Sequence, residues 1–348
     1  MVFLRCGKEG RNLKENRDQL GGKMSFIKVL NLNKQFKIVD KESGLANSFK
    51  SIIKRKYKYI QAVDNISFDI DKGEIVGYIG PNGAGKSTTI KMLTGILKPD
   101  SGFIEVDGFN PFNDRVKYVK NIGVVFGQKS QLWWDIPVEE SFLLLKDIYK
   151  VSDKDYQKVK EELVDLLELK DLLKTPVRQL SLGQRMRAEI AASLLHSPKV
   201  LFLDEPTIGL DAVSKLSVRK FIKEINEKKK VTIILTSHDM TDIAALTNRI
   251  ILIGHGKKLY DGKLTEIKKK FNSKKLEIIF KKLKNIPTIK DVDIIKKGRN
   301  KVILNVLNNK SVSEIVREYS KVCEIEDINI INEDIDNVIV RLYNEYDV

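Results

Sequence analysis

The sequence predicts an α/β fold: a core sheet of short buried strands joined by helices, followed by a small α+β unit. Three observations carry that prediction. A Gly-bounded apolar run, residues 75–79, leads directly into Gly80-Pro81-Asn82-Gly83-Ala84-Gly85-Lys86-Ser87 and then into a helical pattern. Two more apolar runs, 200–203 and 231–236, stop at polar residues, Asp204-Glu205 and Ser237-His238. Past residue 271 the spacing changes to brief strands and two helices. Short apolar runs closed by Gly or polar residues mark strands buried on both faces.

The first strand, loop and helix form the most informative unit. Gly80 to Ser87 matches G-x-x-x-x-G-K-[ST] at every fixed position. Glycines let the backbone turn tightly enough for its N–H groups to surround phosphate oxygens, and the following helix N-terminus adds partial positive charge. Lys86 is placed to reach the β- and γ-phosphates of a nucleotide, and Ser87 to ligate Mg²⁺. The helix is expected to show Ile90, Leu93, Ile96 and Leu97 on its apolar side and to stop at Pro99.

The second strand delivers Asp204 and Glu205 to its tip. An isolated Asp-Glu pair is usually a solvated strand end. Downstream of a complete phosphate-binding motif, Asp204 reads as a Mg²⁺-holding carboxylate and Glu205 as the group that polarises an attacking water. His238, one of three histidines in the chain, follows the third strand and is a candidate for contact with the γ-phosphate. Gln128, after the apolar stretch 122–127, is placed to orient water or Mg²⁺.

Between these strands, "QLSLGQRMRAEIAASLLHSPKVLFLDEPT" (179–207) resembles the ATP-binding subunits of ABC transporters. Leu180-Ser181-Leu182-Gly183-Gln184 is similar to the family signature Leu-Ser-Gly-Gly-Gln, with Leu182 in place of the first Gly. The resemblance implies that Gln128 is the Q-loop, Gly209-Leu210-Asp211 the D-loop and His238 the switch histidine. It further implies a nucleotide-binding domain over 24–262. Within it lie a core sheet of P-loop type, an antiparallel β subdomain and a helical signature subdomain at 130–195. The ATP-binding set so implied is Tyr57, Gly80, Pro81, Asn82, Gly83, Ala84, Gly85, Lys86, Ser87, Thr88, Ser181, Gly183, Gln184 and Asp211. Ser87, Gln128 and Asp204 would hold Mg²⁺; Glu205, His238 and Gln128 would be catalytic. An aromatic residue stacks on adenine in this family. Spacing from Gly80 favours Tyr57, with Phe36 and Tyr59 as rivals. Ser181 and Gly183 remain in the altered signature, so it is expected to function provided Leu182 avoids a positive φ.

In the family one subunit's signature closes over ATP held by the other. One copy of each motif therefore implies a dimer of ATPase subunits, identical or paired with a relative. The motif blend is similar to the ABC-2 exporter branch, and more narrowly to a bacterial group of multidrug or viologen-type exporters with separate permeases. Importer ATPases are a rival. Soluble ABC proteins of translation or DNA repair are disfavoured, because those carry two cassettes or long coiled-coil insertions and this chain has neither.

Charge is uneven. Residues 1–62 hold 15 Lys/Arg against 5 Asp/Glu, two thirds of the net +15. Without interleaved aromatics or base-reading elements, that head does not argue for nucleic acid. Residues 37–58 look like a basic insertion, and 48–58 a basic amphipathic stretch suited to a solvated helix or to anionic headgroups. Two distant cysteines, Cys6 and Cys323, fit a reducing compartment. No apolar run is long enough for a signal peptide or a membrane span. The expected location is cytoplasmic, peripheral on the inner face of the cell membrane. Residues 1–23 read as a non-native or disordered extension, since "GGK" before Met24 can be the translation of a ribosome-binding site.

The only two tryptophans, Trp133 and Trp134, are adjacent. Asp135 is expected to cap the next helix with Pro137 in its first turn. In the family the segment after the Q-loop meets the permease. One tryptophan at least is therefore expected to face that partner, with the other packed inward. The tail, 263–348, reads as an α+β appendage with strands at 274–280, 291–298 and 301–307. A helix follows at 311–322, with Ser311 and Glu314 spelling a capping box, then a strand at 325–331 and a last helix.

Overall fold

The computed structural model describes residues 25–39, 57–127, 129–270, 274–281, 287–306, 310–331 and 335–346. Expectations for residues 1–23, Cys6, Gln128 and most of the basic insertion (40–56) lie outside the described residues.

The chain divides into two compact units, 1–238 with 251–261, and 239–250 with 262–348. Residues 239–250 cluster with the second unit, although a contiguous reading of the sequence assigns them to the first.

The first unit contains two sheets. β1 (Ile27–Val39), β2 (Tyr57–Ile70) and β4 (Ser101–Val106) form a three-stranded antiparallel sheet in the order β2-β1-β4. The strands of the core sheet are β3 (Ile75–Ile79), β5 (Ile122–Phe126), β6 (Val200–Asp204), β7 (Thr232–Thr236), β8 (Arg249–Gly254) and β9 (Lys257–Lys263). Their order across the sheet is β5-β6-β7-β3-β8-β9. β5, β6, β7 and β3 run parallel. In register, Phe126 lies beside Asp204 and Asp204 beside Thr236, so three strands end together. Ligand sites in open parallel sheets form at such carboxyl ends. Between the sheets a continuous core runs from Ile27, Ile66 and Phe68 through Tyr78 and Ile90 to Phe202 and Ile234.

The α-helices described in this unit are α1 (Lys86–Leu93), α2 (Arg115–Val119), α3 (Val138–Tyr149), α4 (Asp153–Leu166), α5 (Leu182–Leu194) and α6 (Ala212–Lys229). Two expectations fail here. α1 ends at Leu93, before Pro99, because Gly95 takes φ +72 and Arg115 Nη1 donates to its carbonyl. Ile96 is consequently exposed. α3 starts at Val138, with Pro137 and not Asp135 as N-cap. Asp135 instead accepts from Arg178 Nη1 at 3.1 Å.

In the second unit β10 (Lys274–Phe280), β11 (Val292–Lys297), β12 (Lys301–Val306) and β13 (Ile325–Ile331) form an antiparallel sheet, β11-β12-β10-β13. The helices are α7 (Met240–Leu246), α8 (Leu264–Lys270), α9 (Val312–Ser320) and α10 (Ile335–Glu345). Alternation puts Leu276, Ile278, Phe280, Val302 and Leu304 on one face, where Ile315 and Tyr319 of α9 cover them. Ser311 is the N-cap of α9, yet the capping box is not made: its hydroxyl bonds Ser313 Oγ at 2.6 Å. α10 buries Ile335, Val338, Ile339 and Leu342, a one-sided helical spacing, and packs on α7 and α8.

Candidate nucleotide site

The loop between β3 and α1 is tight at Gly80 and Gly85 and open at Gly83. Gly85 caps α1 with φ +102, and a Cβ there would sit 2.3 Å from the Ala62 carbonyl oxygen, so only glycine is accommodated. Asn82, Gly83 and Ser87 are exposed or partly exposed around the loop, and the first turn of α1 carries no acidic side chain. Negative charge near that positive end comes instead from the tip of β6, where Asp204 Oδ1 lies 3.5 Å from Ser87 Oγ. Lys86 is buried; its Nζ donates to Gly80 O at 2.6 Å and to Pro81 O at 3.2 Å. Burial pushes its pKa below the ordinary lysine value, and the charges of Glu205 and Asp204 oppose that shift.

Opposite the loop, the β6 tip turns its two carboxylates different ways. Asp204 Oδ1 accepts from Thr236 Oγ1 at 2.6 Å and lies 3.5 Å from Ser87 Oγ. Glu205 takes a left-handed backbone, φ +57, uncommon for a residue with a Cβ. Its N–H donates to the Thr236 carbonyl and hydroxyl. Its side chain meets His238 Nδ1 at 2.6 Å. Ser87, Lys86, Asp204, Glu205 and His238, scattered over more than 150 residues of sequence, are thus drawn to one edge of the sheet. Nothing in the sequence singles out Thr236; inside an apolar strand it reads as one more β-branched residue.

The donor set fits a nucleotide and one Mg²⁺. Among the described residues no three His, Cys, Asp or Glu cluster as a metal cage. A hydroxyl and one carboxylate, with phosphate oxygens and water completing the shell, is the arrangement Mg²⁺ favours in such sites.

Signature residues lie elsewhere in the unit. Ser181 caps α5 with a complete capping box: its hydroxyl accepts from Gln184 N–H, and the Gln184 side chain accepts from Ser181 N–H. Leu182 is the first helical residue and has no positive φ, so the replaced glycine introduces no backbone strain. Gly183 is tightly used, since a Cβ there would lie 2.4 Å from Ser214 Oγ on α6. Asp211 caps α6, and bonds from the Ser214 N–H and hydroxyl hold its carboxyl below the usual range. The side chains of Ser181, Gln184 and Asp211 are thus engaged in helix caps.

The aromatic candidates divide by face. Phe36 pairs with Ile60, whereas Lys37 pairs with Tyr59 and Val39 with Tyr57. Tyr57 and Tyr59 therefore share one face of the hairpin and Phe36 takes the other. All three are exposed, and Lys37 Nζ sits 3.7 Å over the Tyr57 ring.

Neither tryptophan is packed inward, contrary to expectation: Trp133 is 41 % and Trp134 51 % exposed. Leu132 supplies the buried contact instead. Their backbone is nevertheless pinned. Trp133 N–H donates to Ser141 Oγ, and Arg178 N–H donates to Trp134 O. Just upstream, Glu189 of α5 accepts from Ser130 Oγ and from Gln131 N–H, and Gln131 Nε2 returns a bond to Glu189 O.

A parallel sheet presenting this loop and paired carboxylates defines a P-loop nucleoside triphosphatase. Residues 63–208 match the ABC transporter family profile. The ABC transporter ATP-binding protein NatA of Bacillus subtilis is 34% identical over 225 residues, covering 65% of this chain and 91% of that protein. Linearmycin resistance ATP-binding protein LnrL, also of B. subtilis, is 34% identical over 62% of this chain and 68% of its own length. The methionine import ATP-binding protein MetN of B. subtilis is 36% identical over 62% and 64%. The dimeric structure of MJ0796, a bacterial ABC transporter cassette, superposes with a TM-score of 0.56 at 27% identity, covering 68% of this chain and 98% of that one. The chain belongs to the ABC transporter ATP-binding family, whose cassettes bind and hydrolyse ATP to power transport. Among the described residues no helix is long and apolar enough to cross a membrane.

Proposed function

We propose that the chain is the ATPase of an exporter, driving separate ABC-2 type permease subunits of the multidrug or viologen-exporter-like group. The observation that carries the catalytic half is the pairing at the β6 tip: Asp204 beside Ser87, and Glu205 on His238 at 2.6 Å. In this reading Lys86 and the loop 80–88 hold the phosphates. Ser87, Asp204 and Gln128 would hold Mg²⁺, which would supply positive charge to neutralise the triphosphate. Glu205 orients and deprotonates the attacking water, and His238 positions Glu205 and meets the γ-phosphate. Adenine stacks on Tyr57, with Tyr59 on the same face and Phe36 on the other as rivals.

Two copies close head to tail, so that Ser181, Gly183, Gln184 and Asp211 of one complete the site of the other. A helix N-terminus suits the γ-phosphate there. Trp133 and Trp134 face the permease, an assignment supported by their joint exposure on a pinned segment. The protein would sit at the cytoplasmic face of the membrane and have no nucleic-acid partner. Export is supported by the motif blend and by likeness to a resistance ATPase. Import is the second reading, favoured by the likeness to a methionine import ATPase.

Glu205→Gln tests the site. ATP binding should persist while turnover falls by about 100-fold or more, as for loss of a general base; normal hydrolysis would remove Glu205 from that role. Purification from native membranes tests the partner. Copurifying ABC-2 permeases without a substrate-binding protein support export, and a binding-protein-dependent permease supports import.

A further inference from the structure

The geometry points to Thr236 as the positioning residue that sets the two carboxylates of the β6 tip apart, one toward the metal and one toward the water. The inference rests on the roles proposed for Asp204 and Glu205. A threonine hydroxyl has one proton to give and lone pairs to receive. Here the proton goes to Asp204 Oδ1 at 2.6 Å, and a lone pair accepts the Glu205 N–H at 3.1 Å. One buried oxygen thus fixes the side chain of residue 204 and the backbone of residue 205. Asp204 lies in register opposite Thr236, so the bond runs straight across the β6–β7 pair.

The second bond matters because Glu205 holds φ +57. A residue with a Cβ persists in that region only when its surroundings over-determine it. Thr236 supplies two acceptors for the same N–H, its carbonyl at 3.2 Å and its hydroxyl. The turn then sends the Glu205 carboxylate to His238, while Asp204 stays by Ser87. A valine at 236 would fill the same space in this apolar strand. It would leave Asp204 Oδ1 with only the longer bond from Ser87 Oγ and the Glu205 turn with one acceptor fewer.

The test compares wild type with Thr236→Val and Thr236→Ser in the full chain, with Asp204→Asn as reference. Affinity for a trinitrophenyl ATP is measured without Mg²⁺ and with it, Mn²⁺ binding to the nucleotide complex is followed by electron paramagnetic resonance, and kcat and KM are determined. Thr236→Val should bind nucleotide normally without metal. Its Mn²⁺ affinity and kcat should both fall by about tenfold or more, the size of a lost hydrogen bond to a charged group. Thr236→Ser should restore both to within about twofold of wild type, because serine keeps the hydroxyl that makes both bonds. Should the Val variant fail to melt cooperatively, Thr236→Ala against Thr236→Ser carries the same comparison, since they differ by the hydroxyl alone. Unchanged Mn²⁺ affinity and kcat in the Val or Ala variant would overturn the inference, as would an equal loss in the Ser variant. If Asp204→Asn itself leaves Mn²⁺ binding intact, it is the site reading that fails.

Discussion

His238 Nδ1 lies 2.6 Å from Glu205 Oε2, bridging 33 residues of sequence and the tips of two parallel strands. The histidine is mostly exposed while the carboxylate is largely covered. The pair therefore anchors an accessible ring on a fixed acid, which suits the proposed contact of His238 with an arriving γ-phosphate. Replacing His238 with Ala should leave ATP binding intact and lower kcat by about 10- to 100-fold, less than replacement of Glu205, the proposed general base. Single-turnover hydrolysis with pre-bound ATP would measure it. A His238→Ala enzyme with unchanged chemistry would mean that Glu205 is oriented by its backbone alone.

Lys86 gives a pH prediction with a definite sign. Burial holds its pKa below the ordinary 10.5, with Glu205 and Asp204 acting in the opposite direction. A polyphosphate beside it favours the charged ammonium and raises the pKa on binding. Because the bound form then holds the proton more tightly than the free form, ATP binding takes up a proton at alkaline pH. Affinity should fall as pH rises through the depressed value toward the ordinary one. Titration calorimetry in two buffers of different ionisation enthalpy should detect the uptake in wild type and not in Lys86→Met. Equal affinity at neutral and alkaline pH would contradict this coupling.

What is legible in the sequence follows periodicity. The strands β3, β6 and β7 stand out as apolar runs, and the residues at their ends stand out because their chemistry is unusual beside a phosphate loop. Positions fixed by cross-strand geometry do not. Thr236 looks like strand filler, and only the β6–β7 register shows that it faces Asp204. The face of each aromatic candidate depends on the register of a long hairpin containing bulges, which spacing cannot supply. Ile96 and Leu97 continue a helical spacing past the true end of α1, because a tertiary contact from Arg115 to Gly95 ends the helix. The Trp133–Trp134 segment departs from expectation for a related reason. Its backbone bonds to Ser141 and Arg178, not side-chain burial, hold it in place.

Glu189 supplies the last prediction. Its carboxyl is buried on α5, and burial raises its pKa above the ordinary value of 4.5, with the Ser130 and Gln131 donors opposing. A folded-state pKa above the unfolded one means that protonation favours the folded protein. That contribution is fully present below the unfolded value near 4.5 and is lost as pH rises through the raised folded value. Glu189→Gln has no such titration. The stability of wild type relative to Glu189→Gln should therefore be greatest at acid pH and decline across this window. Thermal melts of both proteins at a series of pH values would show it, and a difference that is flat or grows with pH would exclude a burial-raised acid. The amide offers one carbonyl oxygen where the carboxylate offers two, so the bonds from Ser130 Oγ and Gln131 N–H are not both kept as they stand. Because Ser130 and Gln131 lead into Trp133 and Trp134, the only tryptophans, loosening this clamp should change tryptophan emission before global unfolding. Coincident emission and unfolding transitions in Glu189→Gln would mean that the segment is held by its Ser141 and Arg178 bonds without help from Glu189.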